Sequence, residues 1–113
     1  LNQSAVTKNI PLVECAMYDL EFRITSIQPQ STPCLRCLYP ENVGHWKREF
    51  PVFGAVSATV GALGAMEAIK ILTRLGKPLH NRLLRGDLRT MQFQTLQLHA
   101  DPDCPLCGSP PKL

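Results

Sequence analysis

The chain has 113 residues, 44% of them apolar and 19% charged, with a formal charge of +3. That is one domain's worth of chain, too apolar for a disordered tail. Its charge is too mild, and its aromatic content too low at 6%, to argue for nucleic acid as a partner. Residue 1 is Leu, and the opening Leu1-Asn2-Gln3 resembles neither a signal nor a transit peptide. The expectation is a piece of a longer protein.

Residues 1–9 are polar and read as the end of a helix, broken by Asn9 and Pro11. Residues 10–17 read as a short buried strand carrying Leu12, Val13, Cys15 and Ala16. Residues 18–27 alternate, with Leu20, Phe22 and Ile24 on one face and Glu21, Arg23 and Thr25 on the other, a half-exposed strand. A polar stretch, 28–33, leads into the first Cys-x-x-Cys. Phe50 to Met66 then runs seventeen residues without a charge. It is at the lower edge of membrane-spanning length and is interrupted by glycine, serine, threonine and proline, so a buried helix over 54–75 fits better. Gly76 is the expected residue just past its end, with Pro78 as a stop. The helix should be about 30 Å long at about 1.5 Å per residue. Its small residues recur every fourth position (Gly54, Ala58, Ala62; Ser57, Gly61, Ala65), which suits close approach of another backbone or simply a small-residue core. Residues 82–98 read as a hairpin turning at 87–90, with a bulge expected at Thr95, where the apolar phase slips.

Five cysteines stand out. Four form two Cys-x-x-Cys pairs, Cys34/Cys37 and Cys104/Cys107, flanked by Pro33, Pro40, Pro102, Pro105 and Gly108. Two intervening residues let both thiols of a pair point inward from one tight turn, and two such turns supply the four corners that structural zinc requires. Disulfides would leave Cys15 as an odd thiol, and a redox Cys-x-x-Cys usually comes once. The 66 residues between the pairs exceed a compact zinc ribbon, so spacing alone does not decide. Four-sulfur coordination leaves no position for water, so the expected metal is structural. Its effect would be to pin the C-terminal tail to the middle of the chain. Cys15, in an apolar run, reads as a small buried hydrophobe. No glycine-rich phosphate loop is present, and His45, His80 and His99 are scattered. The 113 residues hold no self-contained active site: no catalytic and no cofactor-binding residue is expected.

Pro33-Cys34-Leu35-Arg36-Cys37-Leu38-Tyr39-Pro40 resembles the first zinc knuckle of the ThiF/MoeB/HesA adenylyltransferases, relatives of ubiquitin-activating enzymes. Gly61-Ala62-Leu63-Gly64-Ala65-Met66-Glu67-Ala68-Ile69-Lys70 is similar to their long C-terminal helix. Asp101-Pro102-Asp103-Cys104-Pro105-Leu106-Cys107-Gly108 is similar to their terminal knuckle. The three motifs come in the family's order, and the likeness covers about residues 1–108.

The resemblance implies the C-terminal portion of a Rossmann-like α/β domain, α+β when taken alone. It would have a mixed sheet, one long buried helix (54–75) and a knuckle pair (28–40 and 101–108). It further implies a cytoplasmic parent protein, usually a homodimer, that uses ATP and magnesium to adenylate the C-terminal Gly-Gly of a ubiquitin-like sulfur carrier. In such a protein the zinc ligands would be Cys34, Cys37, Cys104 and Cys107. The carrier would dock on the C-terminal sheet and thread its tail under a crossover loop, here 41–53. Several family members hold a cysteine in that loop; the matching position here is about Lys47, so no covalent thiol intermediate is expected through it. The alternative is a stand-alone zinc-stapled module that docks a ubiquitin-like partner, or dimerises, without ATP chemistry. Neither nucleic acid nor membrane is an expected partner.

Overall fold

The computed structural model describes residues 1–39 and 53–108. The crossover loop, apart from Phe53, lies outside the described residues, and Lys47 with it. A short helix α1 (Asn2–Lys8) ends at Asn9, which takes the left-handed conformation (φ 54°) that asparagine tolerates well. Strand β1 (Leu12–Tyr18) turns through Asp19 and Leu20 into β2 (Glu21–Ile27). One helical turn, α2 (Leu35–Leu38), follows. After it come the long helix α3 (Gly54–Thr73) and a hairpin of β3 (Arg82–Asp87) and β4 (Gln92–Gln97).

The four strands form one sheet in sequential order, β1-β2-β3-β4. A mixed sheet was expected; every strand pair is antiparallel. The parallel element is an isolated bridge between Ser26 and His80. Two of the three pairings are hairpins, which can only be antiparallel. The β3–β4 register runs unbroken from Arg82↔Gln97 to Asp87↔Gln92, so the expected bulge at Thr95 is absent. Strand β4 is exposed along its whole length, and neither face imposes an apolar phase on it.

Period-two alternation divides the sheet into two faces. Val13, Cys15 and Met17 of β1 share a face with Phe22 and Ile24 of β2, with Leu84 and Gly86 of β3, and with Phe93 of β4. Helix α3 lies across this face over β1 and β2. The core is Phe22, Ile24, Val56 and Val60, closed on one side by an edge-to-face contact between Phe22 and Phe93 (centroids 5.7 Å apart).

The helix buries a narrow stripe, Val56, Val60, Gly64 and Glu67, and leaves Met66, Ile69 and Leu72 exposed. The helix expected to be buried is thus buried on one side in this chain. By length and composition it could span a bilayer; here it lies along the sheet with a carboxylate on its packed side. It stops at Thr73, where Arg74 takes the left-handed turn, two residues before the end expected from Gly76.

Gly64 marks the closest approach. A β-carbon there would sit 2.3 Å from the Cys15 sulfur, so helix and strand meet where one lacks a side chain. The regularly spaced Gly54 and Gly61 face open space instead. Cys15 itself is exposed, not the core residue expected, because β1 is an edge strand that α3 covers only in part. The remaining burial adds a correction on both faces of β2, Thr25 opposite the helix and Ser26 beneath it. Thr25 and Ser26 are as buried as Phe22, the Thr25 hydroxyl donating to the Arg82 and Leu79 carbonyls (2.7 and 3.3 Å).

Candidate metal centre

Strands β2 and β4 both run antiparallel to β3, so their C-terminal ends leave the sheet at the same end. The residues after β2 carry Cys34 and Cys37, and those after β4 carry Cys104 and Cys107. Sheet topology thereby brings together two pairs that the sequence holds 66 residues apart.

Each pair is preset by its own backbone. After β2, a turn closes with the Ser31 and Thr32 N–H groups donating to the Gln28 carbonyl (both 3.0 Å), and the Thr32 hydroxyl accepting from the Gln28 N–H (3.0 Å). The first Cys-x-x-Cys is then a single helical turn, not the bare knuckle that its flanking prolines suggest. The N–H of Cys37 donates to the Cys34 carbonyl (3.0 Å). The unpaired N–H at the start of that turn, on Leu35, donates to the Asn2 side-chain oxygen (3.1 Å), a capping contact that ties α1 to the knuckle. In the second pair the Asp101 carboxylate accepts the Asp103 N–H (2.9 Å). Its carbonyl accepts that of Cys104 (3.0 Å), and the Gly108 N–H closes onto the Cys104 carbonyl (2.9 Å). A β-carbon on Gly108 would lie 2.5 Å from that carbonyl oxygen, so this turn has room only for glycine.

The four sulfurs lie within 4.8 Å of one another. Cys37–Cys107 is 3.3 Å, Cys34–Cys104 3.8 Å and Cys34–Cys37 4.0 Å. A disulfide bond is about 2.05 Å long, and all five cysteines are free. A tetrahedron with metal–sulfur bonds of about 2.3 Å has edges of about 3.8 Å, close to these separations. Cys34 and Cys104 are buried, while Cys37 and Cys107 are partly open.

The protonation pattern fits a cation site. Burial pushes the Cys104 thiol up, but the N–H groups of Cys107 and Leu106 and the neighbouring thiols of Cys107 and Cys37 outweigh it and bring it down to about 7. Cys107 is pushed up, first by burial and then by the Cys37 and Cys34 sulfurs. Four thiolates this close together repel one another and need a positive charge between them. The donor set and its spacing therefore fit a soft divalent ion held by four thiolates, with no coordination position left for substrate or water.

Cys15 stays outside this group. Its thiol is pushed up by desolvation and then by the Glu14 and Glu67 carboxylates, which disfavours the nucleophilic thiolate. The reading of the sequence missed Asn2 and Glu67. The first acts over 33 residues of separation, which no local pattern reveals. The second is 3% exposed. It accepts from the Ser26 hydroxyl (2.9 Å) and the Leu79 N–H and pairs with Lys70. Only the i,i+3 spacing to Lys70 was visible in advance.

An antiparallel four-stranded sheet, backed by one helix and gathered at one end by four thiols, defines a sheet domain with a candidate structural metal centre. The chain belongs to the ThiF family, which it matches over residues 1–106. It is 44% identical over 109 residues to the protein HesA of Nostoc sp., covering 96% of this chain and 43% of HesA. It is 36% identical over 120 residues to the sulfur carrier protein adenylyltransferase of Thermus thermophilus, covering 98% of this chain and 44% of that enzyme. The chain thus spans about two fifths of the length of each of these two relatives. Among solved structures, E. coli MccB with MccA-N7isoASN superposes with a TM-score of 0.80 at 21% identity, over 96% of this chain and 36% of MccB. That likeness is one of fold.

Proposed function

We propose that this chain is the zinc-binding C-terminal part of an ATP-dependent adenylyltransferase that activates the C-terminal Gly-Gly of a ubiquitin-like sulfur carrier. The observation that carries the reading is the four-thiol cluster in a ThiF-family chain. The relative from Thermus thermophilus, whose name states carrier adenylylation, adds support. Zinc, held by Cys34, Cys37, Cys104 and Cys107, supplies a cross-link and no reactive position. ATP and magnesium belong to the rest of the parent protein, since these 113 residues contain no glycine-rich phosphate loop. The matching crossover position, at about Lys47, offers no thiol, so carrier activation here stops at the acyl adenylate as far as this loop is concerned. The parent is proposed as a cytoplasmic homodimer.

The absence of a phosphate loop from the 113 residues also favours a second reading, a docking module that binds the carrier without nucleotide. Carrier-dependent ATP–pyrophosphate exchange separates the two. The adenylyltransferase reading expects exchange by the complete protein containing this chain and none by the 113-residue chain alone. Exchange by the short chain, or its absence from the complete protein, would overturn it.

A further inference from the structure

The four sulfurs of the metal centre are not equivalent. Cys34 and Cys104 are 1% and 5% exposed, while Cys37 and Cys107 are partly open. The open two come one from each Cys-x-x-Cys pair. Their 3.3 Å separation is shorter than that of Cys34 from Cys104 (3.8 Å) or from Cys37 (4.0 Å). Cys107 also lines a pocket of about 300 Å³, walled by residues 30–32 on one side and by residues 100–102 and Gly108 on the other. Asp101 is the one charged residue of that wall, so the pocket suits a small neutral molecule over an anion. One sulfur therefore has a route from solvent, and a second stands within reach of it on the other knuckle.

We propose that Cys37 and Cys107 form an oxidation site for a small neutral peroxide, which joins them in a disulfide between the two knuckles. This rests on the metal-binding reading of the four thiols. Thiolate character and exposure decide which cysteine is oxidised, and a bound divalent ion keeps all four sulfurs as thiolates. Access through the pocket then singles out Cys107. Its Sγ attacks one peroxide oxygen, the O–O bond breaks, and the departing hydroxide takes a proton from solvent and leaves as water. Cys107 becomes a sulfenic acid. The Cys37 sulfur attacks the Cys107 sulfur and forms the S–S bond, and the hydroxide expelled leaves as a second water. The two thiolates together lose two electrons and peroxide gains two. Cys34 and Cys104 remain, too few to hold the ion. The disulfide joins the same two knuckles, so the tail stays attached when the metal is lost. Spacing in the sequence points elsewhere, to disulfides within each Cys-x-x-Cys.

The test adds excess hydrogen peroxide to the reduced, zinc-loaded protein. A chromogenic chelator follows zinc release against a peroxide-free control, and mass spectrometry maps the first disulfide after the remaining thiols are blocked. Trypsin cleavage after Arg36 separates Cys34 from Cys37. Zinc should leave in step with a Cys37–Cys107 disulfide, while Cys15, Cys34 and Cys104 are still thiols. The oxidised, zinc-free protein should keep the tail beyond β4 protected from protease, unlike protein that is chelated and reduced. Ser31→Trp, which fills the pocket and keeps all four thiols, should slow zinc release and disulfide formation at least about threefold, with zinc content and melting temperature unchanged. Should Ser31→Trp not fold, the disulfide mapped in wild type decides alone. A first disulfide between any other two cysteines would overturn the proposal. So would zinc retained under excess peroxide, a tail as open to protease as in the chelated protein, or an unslowed reaction in folded Ser31→Trp. In each of these cases the metal centre stands. If the protein purified under reducing conditions holds no zinc, the metal reading fails and the proposal with it.

Discussion

Glu67 concentrates the polar side of the core in one carboxylate. Its position on α3 lets it reach the end of β2 through Ser26, the entry to β3 through the Leu79 N–H, and its own helix through Lys70. Burial pushes its pKa up, but these donors outweigh burial and hold it below its ordinary value. A depressed carboxylate contributes stability that is present above the ordinary carboxylate pKa and is lost over the range between that value and the lowered folded one. The protein should therefore lose stability on acidification through that range, and Glu67→Gln should flatten this dependence. Glu67→Leu leaves the Ser26 hydroxyl and Leu79 N–H buried without an acceptor and should cost about 2–4 kcal/mol. Denaturant unfolding at several pH values measures both; an unchanged midpoint in Glu67→Leu would remove Glu67 as a structural clamp.

Between α3 and β1 the decisive contact is the missing side chain of Gly64 over Cys15. Gly64→Ala should destabilise by about 1–3 kcal/mol, the usual effect of overpacking. Cys15→Ala in the same chain should restore most of that loss. A full double-mutant cycle by thermal unfolding checks this, and strict additivity would contradict it. Cys15 thus has a packing role although it is exposed, which explains why its sequence context was misleading. Apolar neighbours in β1 predict burial, but burial of an edge strand depends on what covers it. The alternation of Phe22 and Ile24 was legible because a period of two survives any tertiary context. The burial of Thr25 and Ser26 was not, since it depends on the Leu79 and Arg82 carbonyls and on Glu67, forty to sixty residues away. The expected bulge in β4 failed for the opposite reason: an exposed edge strand imposes no phase on its side chains.

Across the whole molecule, the sheet gathers both Cys-x-x-Cys pairs at one end, and a metal there would close a loop of about seventy residues. The spacing within each pair was legible. The gap between them was not interpretable until topology placed the ends of β2 and β4 side by side. Closing a loop of this length stabilises by about 4 kcal/mol in the chain-entropy account of cross-links. Cys107→Ser, or metal removal by a chelator, should therefore lower stability by several kcal/mol. It should also free the tail beyond β4 to proteolysis while the β1–β2 hairpin stays protected. Acidification should act in the same direction, because each thiolate must be deprotonated to hold the metal. Metal analysis joined to thiol titration tests the centre most directly. The account predicts about one zinc per chain, with Cys34, Cys37, Cys104 and Cys107 shielded from thiol reagents until the metal is chelated and Cys15 titrating independently. A metal-free protein whose four cysteines are joined in disulfides would contradict it.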